Sequence, residues 1–292
     1  MFIPPKSDFS IKELFQNEMV LRHFISAVLA IRPEDIRTIR LKNTFLRRRY
    51  RKQKQGILDI LAEMNDHSKI NIELQVKHYA YWDRRQLFYL SKLYTEDMRI
   101  GEDYALLKKC VSISILDFNL TNRNEYHHAY RLRDKHGYEF SDMLEIHTLE
   151  LKKKLKETAE MDELEEWIRF FQADCEEDLD MIKTKNPGIL EAIKEVKEMS
   201  LSRRMRIRYE AHLKQVRDEK AWKTYERAEA RKEGLAEGRA EGRTEGLAEG
   251  LAEGLAEGRS QIIRNMINQK VPDEDIIRLS GCSEKELQEI KG

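Results

Sequence analysis

Apolar residues recur near the start of the chain at close to helical spacing: Phe9, Ile11, Leu14, Phe15, Met19, Phe24, Ile25, Val28 and Leu29. Such a row marks the buried face of a helical region. Ser7-Asp8 precedes it and suits capping of the first free amides. A break is expected near Gln16-Asn17, and Pro33 marks the exit. The period then shortens. Ile39 and Leu41 alternate with Thr38, Arg40 and Lys42, which predicts an edge strand within residues 36–45. Residues 56–62 and 69–77 predict two strands joined by a turn at Asn65-Asp66-His67-Ser68. Helical spacing returns with Leu87, Leu90, Leu93 and Tyr94 between residues 84 and 98, and Gly101 is the expected C-terminal cap. Residues 110–118 form an apolar run suited to a strand covered on both faces. Residues 126–132 and 145–151 are shorter strand candidates.

The order helix, three strands, helix, strand, with further strands appended, predicts an α/β core over residues 1–152. Past Lys152 the pattern is almost purely helical, dense in Glu and Lys and interrupted at Asn186-Pro187-Gly188. The helical region is assigned to residues 153–232, a repeat to 233–259 and two short helices to 260–292. In the repeat, Gly234, Gly238, Gly242, Gly246, Gly250, Gly254 and Gly258 stand four apart, each preceded by glutamate. Every fourth residue advances about 40° around a helix, so this glycine stripe winds around the rod. Each glycine costs roughly 1 kcal/mol against alanine. The repeat is either a flexible linker or a helix whose glycines admit a close neighbour. Its strict period with Ala and Glu favours the helix and self-association into a homo-oligomer.

Charge changes this picture locally. Charged residues make up 36% of the chain, yet the formal net charge is zero, so a nucleic-acid surface requires local segregation. Residues 32–54 hold ten Lys or Arg and two acids; residues 157–180 hold eleven acids and one base. The run Arg47-Arg48-Arg49-Tyr50-Arg51-Lys52 is either a solvated loop or a phosphate-contacting segment, and Arg84 stands in the same choice. Three scattered cysteines, Cys110, Cys175 and Cys282, argue against a disulfide framework or zinc cluster and suit a reducing compartment. The opening MFIPPKSDF lacks the apolar run of a signal peptide, and no stretch has the length of a membrane span. A cytoplasmic protein without membrane contact is the expectation. His127-His128 and His147 show no metal-ligand spacing, and no phosphate-cradling glycine loop is present.

The candidate chemistry sits at Asp59 and Glu73. Alternate residues of a strand share a face, so Ile70, Ile72, Leu74 and Val76 form an apolar row. Asn71, Glu73, Gln75 and Lys77 form a polar one. Asp59 lies between Leu58 and Ile60, where an aliphatic side chain would suit burial better. Two carboxylates on neighbouring strands suit Mg²⁺ or another hard divalent cation, which prefers oxygen ligands and keeps several waters. The Leu74 carbonyl is a further candidate ligand, and Asp8 and Glu13 are candidate additional acids. The alternative is a half-exposed strand whose Glu73 and Lys77 are merely solvated.

These residues also carry a resemblance. Ser7-Asp8-Phe9, Lys12-Glu13-Leu14-Phe15, Leu58-Asp59-Ile60 and Ile72-Glu73-Leu74-Gln75 begin an ordered series. Arg84 with Phe88-Tyr89, Gly101 with Tyr104, Ile115-Leu116-Asp117-Phe118 and Leu149-Glu150-Leu151-Lys152 continue it. The series resembles the Rpn family of recombination-promoting nucleases and transposases. The resemblance covers about half the chain, and the glutamate-glycine tail is common in that group. It implies a PD-(D/E)xK restriction-endonuclease-like core, a mixed sheet flanked by helices, followed by the all-helical C-terminal region. It also implies Asp59 and Glu73 as metal ligands, with cleavage of double-stranded DNA dependent on a divalent metal. One departure concerns the lysine two residues after the acid in the superfamily pattern, which is Gln75 here. Glutamine can orient a water but brings no positive charge. Lys77 lies about 6.6 Å further along an extended strand. The expected catalytic set is therefore Asp59, Glu73, Gln75 and Lys77.

Overall fold

The computed structural model describes residues 1–46, 56–78, 80–155 and 162–291. Helix α1 (Asp8–Leu14) is capped by Ser7, whose hydroxyl accepts from the Ser10 N–H at 3.0 Å. Asp8 is thus the first helical residue, beside the cap. Asn17 caps α2 (Glu18–Leu29), accepting from Met19 and Val20, which accounts for the break between the helices. The stretch at 36–45 contributes β1 (Ile39–Leu41) and the start of a two-residue β2 (Phe45–Leu46). The stretch at 56–62 is also divided: β3 (Gly56–Ile57) pairs with β2, and β4 (Ile60–Met64) begins after an interruption at Leu58-Asp59. Strand β5 (Lys69–Gln75) follows, then α3 (Trp82–Tyr94).

Helix α3 ends at a Thr95 cap whose N–H reaches the Leu93 and Ser91 carbonyls. Gly101 does not cap it. That glycine lies in a later turn at φ +85°, where the missing Cβ removes the usual steric cost. Strand β6 (Cys110–Leu116) is buried throughout, as its largely apolar run predicts, with Ser112 and Ser114 buried among the aliphatic residues. Strands β7 (His127–Arg133) and β8 (Glu139–Glu150) form a long hairpin with shifts of register between Tyr130 and Arg133. Strand β8 begins well before residue 145 because its first residues pair only with β7.

The six-stranded sheet has the order β1-β4-β5-β6-β8-β7, with β5, β6 and β8 parallel at its centre. Its Ile70, Ile72, Leu74, Val111, Ile113, Ile115 and Leu149 face packs on α1 and α2. The same core takes in α4 (Glu163–Gln172) and α6 (Pro187–Leu201); α5 (Glu176–Asp180) adds Leu179. Phe24 meets Trp167 at 5.5 Å and Phe171 at 5.6 Å between ring centroids. The core therefore runs past the change of composition at Lys152. The opposite face is covered by Tyr89, Leu90 and Leu93 of α3, packed on Leu58, Leu61 and Cys110.

The chain divides into two compact units, Met1–Leu213 and Lys214–Gly292. Helix α7 (Arg203–Asn268) contains the whole glycine repeat, and a Cβ added at any repeat glycine meets nothing within 4 Å. In the second unit α8 (Asp273–Ser280) and α9 (Glu284–Lys291) close a small core of Ile263, Ile276, Cys282 and Leu287. Among the described residues no helix is long and apolar enough to cross a membrane.

Candidate metal centre

The β4–β5 hairpin decides whether Asp59 and Glu73 can meet. Ile60 pairs with Ile72 and Ala62 with Ile70, and Met64 N–H donates to the Ser68 carbonyl at 3.0 Å. The connection is thus an odd, three-residue loop that places His67 at φ 65°. In antiparallel pairing opposed residues share a face. Continued by one residue, this register sets Asp59 opposite Glu73. Asp59 lies just outside β4, where the nearby Leu74 N–H favours its charged form. Strand alternation turns the Leu74 carbonyl toward the same edge as its N–H.

Asn71 and Glu73 of the polar row are not solvated. Glu73 is 2% exposed, because α3 lies over that face. Its Oε1 accepts from Asn71 Nδ2 at 3.2 Å, and its Oε2 from Gln86 Nε2 at 3.1 Å and Gln75 Nε2 at 3.4 Å. Gln86 is itself 1% exposed, and its Oε1 accepts from Ser112 Oγ at 3.1 Å. The carboxylate is thus aimed by neutral amides, and among the described residues no ion pair joins it to a cation. The register continues from Glu73 to Ser114, Thr148 and His128, a polar row across four strands. The Ser114 and Thr148 hydroxyls are buried with no hydrogen-bond partner among the described residues.

Asp59 has a different environment. Burial raises its pKa to about 6; Lys12 opposes that rise, while the negative charges of Asp8 and Glu73 add to it. Lys12 Nζ lies 3.7 Å from Asp59 Oδ1 and 2.9 Å from Asp8. Asp8 and Asp59 thus share one ammonium, with the Glu73 charge nearby, an excess of negative charge suited to a divalent cation. Among the described residues no group of three or more His, Cys, Asp or Glu side chains is placed to hold a metal. The donors that fit are two carboxylates and the Leu74 carbonyl, an all-oxygen set suited to a hard ion that retains waters.

Of the other expected site residues, Asp8 stands near Asp59, whereas Glu13 is held by Arg208 at 2.7 Å. Lys77 is exposed and lies past the end of β5, since the strand stops at Gln75. Arg84 is exposed in the first turn of α3, its guanidinium 4.9 Å from the Tyr81 ring centre. Arg47, Arg48, Arg49, Arg51 and Lys52 lie outside the described residues. Sequence reasoning passed over Gln86 and Lys12. Gln86 is a polar residue on the buried stripe of α3, a detectable signal; Lys12 carries no local mark.

The chain belongs to the PD-(D/E)XK nuclease family transposases, whose family pattern it matches over residues 5–226. No curated protein and no solved structure gives a significant match.

Proposed function

We propose that the chain is a metal-dependent DNA endonuclease that hydrolyses phosphodiester bonds in double-stranded DNA during recombination or transposition. The observation that carries this reading is the buried Glu73 carboxylate, aimed by Gln86 and Asn71 toward the edge where Asp59 lies. Asp59, Glu73 and the Leu74 carbonyl would hold Mg²⁺ or another divalent cation. When bound, such an ion lowers the pKa of its water and neutralises charge on the phosphoryl oxygens. Gln75 orients water through its amide, and Lys77 stands on the solvent side of the strand end. Arg47, Arg48, Arg49, Arg51, Lys52 and Arg84 contact backbone phosphates. The test is incubation of plasmid with and without Mg²⁺. Nicking or linearisation is expected only with the metal, and Asp59→Ala or Glu73→Ala should remove it. Full activity in either variant, with contaminating nuclease excluded, overturns the assignment.

A second reading is favoured by Gln75 in the lysine position and by Lys77 beyond the strand. In it the fold grips DNA without cutting, and the same plasmid experiment separates the two: binding with no product at any metal concentration. We further propose that the helical repeat at residues 233–259 is a self-association element, consistent with exposed Leu247, Leu251 and Leu255. Deleting residues 234–258 should lower the mass measured by sedimentation; an unchanged oligomer would make the repeat a spacer.

A further inference from the structure

The β5 strand brings no ammonium to the carboxylates, since Gln75 stands two residues after Glu73 and Lys77 lies outside the strand. Helix α1 does bring one. Phe9, Ile11 and Leu14 seat that helix in the core, and Ser7 fixes its start, so the backbone at residue 12 is firmly placed. Lys12 points the other way. Its ammonium is tethered 2.9 Å from Asp8 and stands 3.7 Å from Asp59 Oδ1. Its side chain is 45% exposed, so Nζ borders both the carboxylates and the solvent from which a substrate arrives.

We propose that Lys12 supplies the phosphate-facing positive charge of this site, a role that rests on the metal-dependent nuclease reading. In hydrolysis the water oxygen forms the new bond to phosphorus as the bond to the leaving oxygen breaks. One water proton ends on the leaving oxygen and the other on the product phosphate or in solvent. Negative charge grows on the non-bridging and leaving oxygens during this step. An ammonium already fixed beside the metal-binding carboxylates stabilises that charge without reorganising. Asp8 is a positioning residue: its i,i+4 pair with Lys12 keeps the ammonium from collapsing fully onto Asp59.

The test uses the full chain with Lys12→Met, Lys12→Arg and the double variant Lys12→Met/Gln75→Lys. Plasmid cleavage at saturating Mg²⁺ is measured beside calorimetric Mn²⁺ binding. Lys12→Met is expected to lose about 100-fold or more in cleavage rate, the scale of removing one charge-stabilising group, while Mn²⁺ affinity is retained or tightened. Lys12→Arg should keep more activity than Lys12→Met, and the double variant should regain part of the loss. Cleavage by Lys12→Met at the wild-type rate overturns the proposal. So does loss of Mn²⁺ binding together with cleavage, which would make Lys12 a structural support, and so does absence of recovery in the double variant. A wild-type chain that neither cuts nor binds Mn²⁺ defeats the nuclease reading itself. Wild-type cutting with an indifferent Lys12 defeats this inference alone.

Discussion

Glu73 and Glu145 are each 2% exposed, and the strand register places them on opposite faces of one sheet. Their partners differ in kind. Glu145 meets Lys109 Nζ at 2.5 Å, Arg131 Nε at 3.1 Å and His147 Nε2 at 3.1 Å. Burial pushes its pKa up, but His147, Lys109 and Arg131 outweigh that and hold it at about 2. Glu73 receives only amide N–H groups. A buried carboxylate with cations around it is compensated by the fold. One held by neutral dipoles keeps its charge available to an added cation. Burial alone therefore does not mark a site; the identity of the donors does.

The largest effect expected from this contrast is on function. Glu73→Gln should abolish cleavage and metal binding, and Glu145→Gln should leave cleavage within a few-fold of wild type. Equal losses in a plasmid assay would erase the distinction. Stability should respond in the opposite sense. Glu145→Gln leaves Lys109 and Arg131 without their carboxylate and should cost about 1–3 kcal/mol, tempered because both cations are partly exposed. Glu73→Gln should cost less than about 1 kcal/mol, since an uncompensated buried charge is removed. Urea unfolding of both variants near neutral pH measures this.

Acid sharpens the same contrast. Burial, with His147 and His128, lowers the pKa of His127 to about 4. An unfolded histidine binds a proton at higher pH than this one, so stability falls as pH drops from about 6.5 toward 4. Glu145 is depressed as well, so its contribution is complete above the ordinary carboxylate pKa of about 4.3 and is lost as pH falls toward its folded value. Unfolding midpoints from pH 7 to 3 should decline across both windows. Glu145→Gln should flatten the lower one only; an unchanged decline there would show that the network does not tune Glu145. A smaller effect is expected at the support of Glu73. Gln86→Leu should weaken Mn²⁺ binding about tenfold, the lower end for groups that orient a metal ligand, with the fold preserved. Undiminished affinity would mean that Asn71 and Gln75 suffice to aim the carboxylate.

Much of the framework was legible in the pattern of residues. The interruption at Asn17, the buried strand at residues 110–116 and the alternation of β5 follow from local rules, and the structure has all three. The turn at Asn65-Asp66-His67-Ser68 is also present, though Ser68 pairs with Met64 and the loop closes on three residues. The length of β8 was not legible, because its early residues pair only with β7 and bear no apolar period.

The sequence by itself determined which residues of β5 share a face, since alternation is a property of the extended backbone. It also determined that Asp59 is out of place among aliphatic neighbours and that Glu73 belongs to a polar row. Only the tertiary structure decided that the polar face is covered. Helix α3 packs there and brings Gln86 to the Glu73 carboxylate across thirteen residues of sequence. Only packing brought Lys12 from α1 beside Asp59, and set Trp167 and Phe171 against Phe24 beyond the change in composition at Lys152. Periodicity records what one element does with its own faces. Which element lies over each face depends on contacts between distant segments, and these leave no period in either partner.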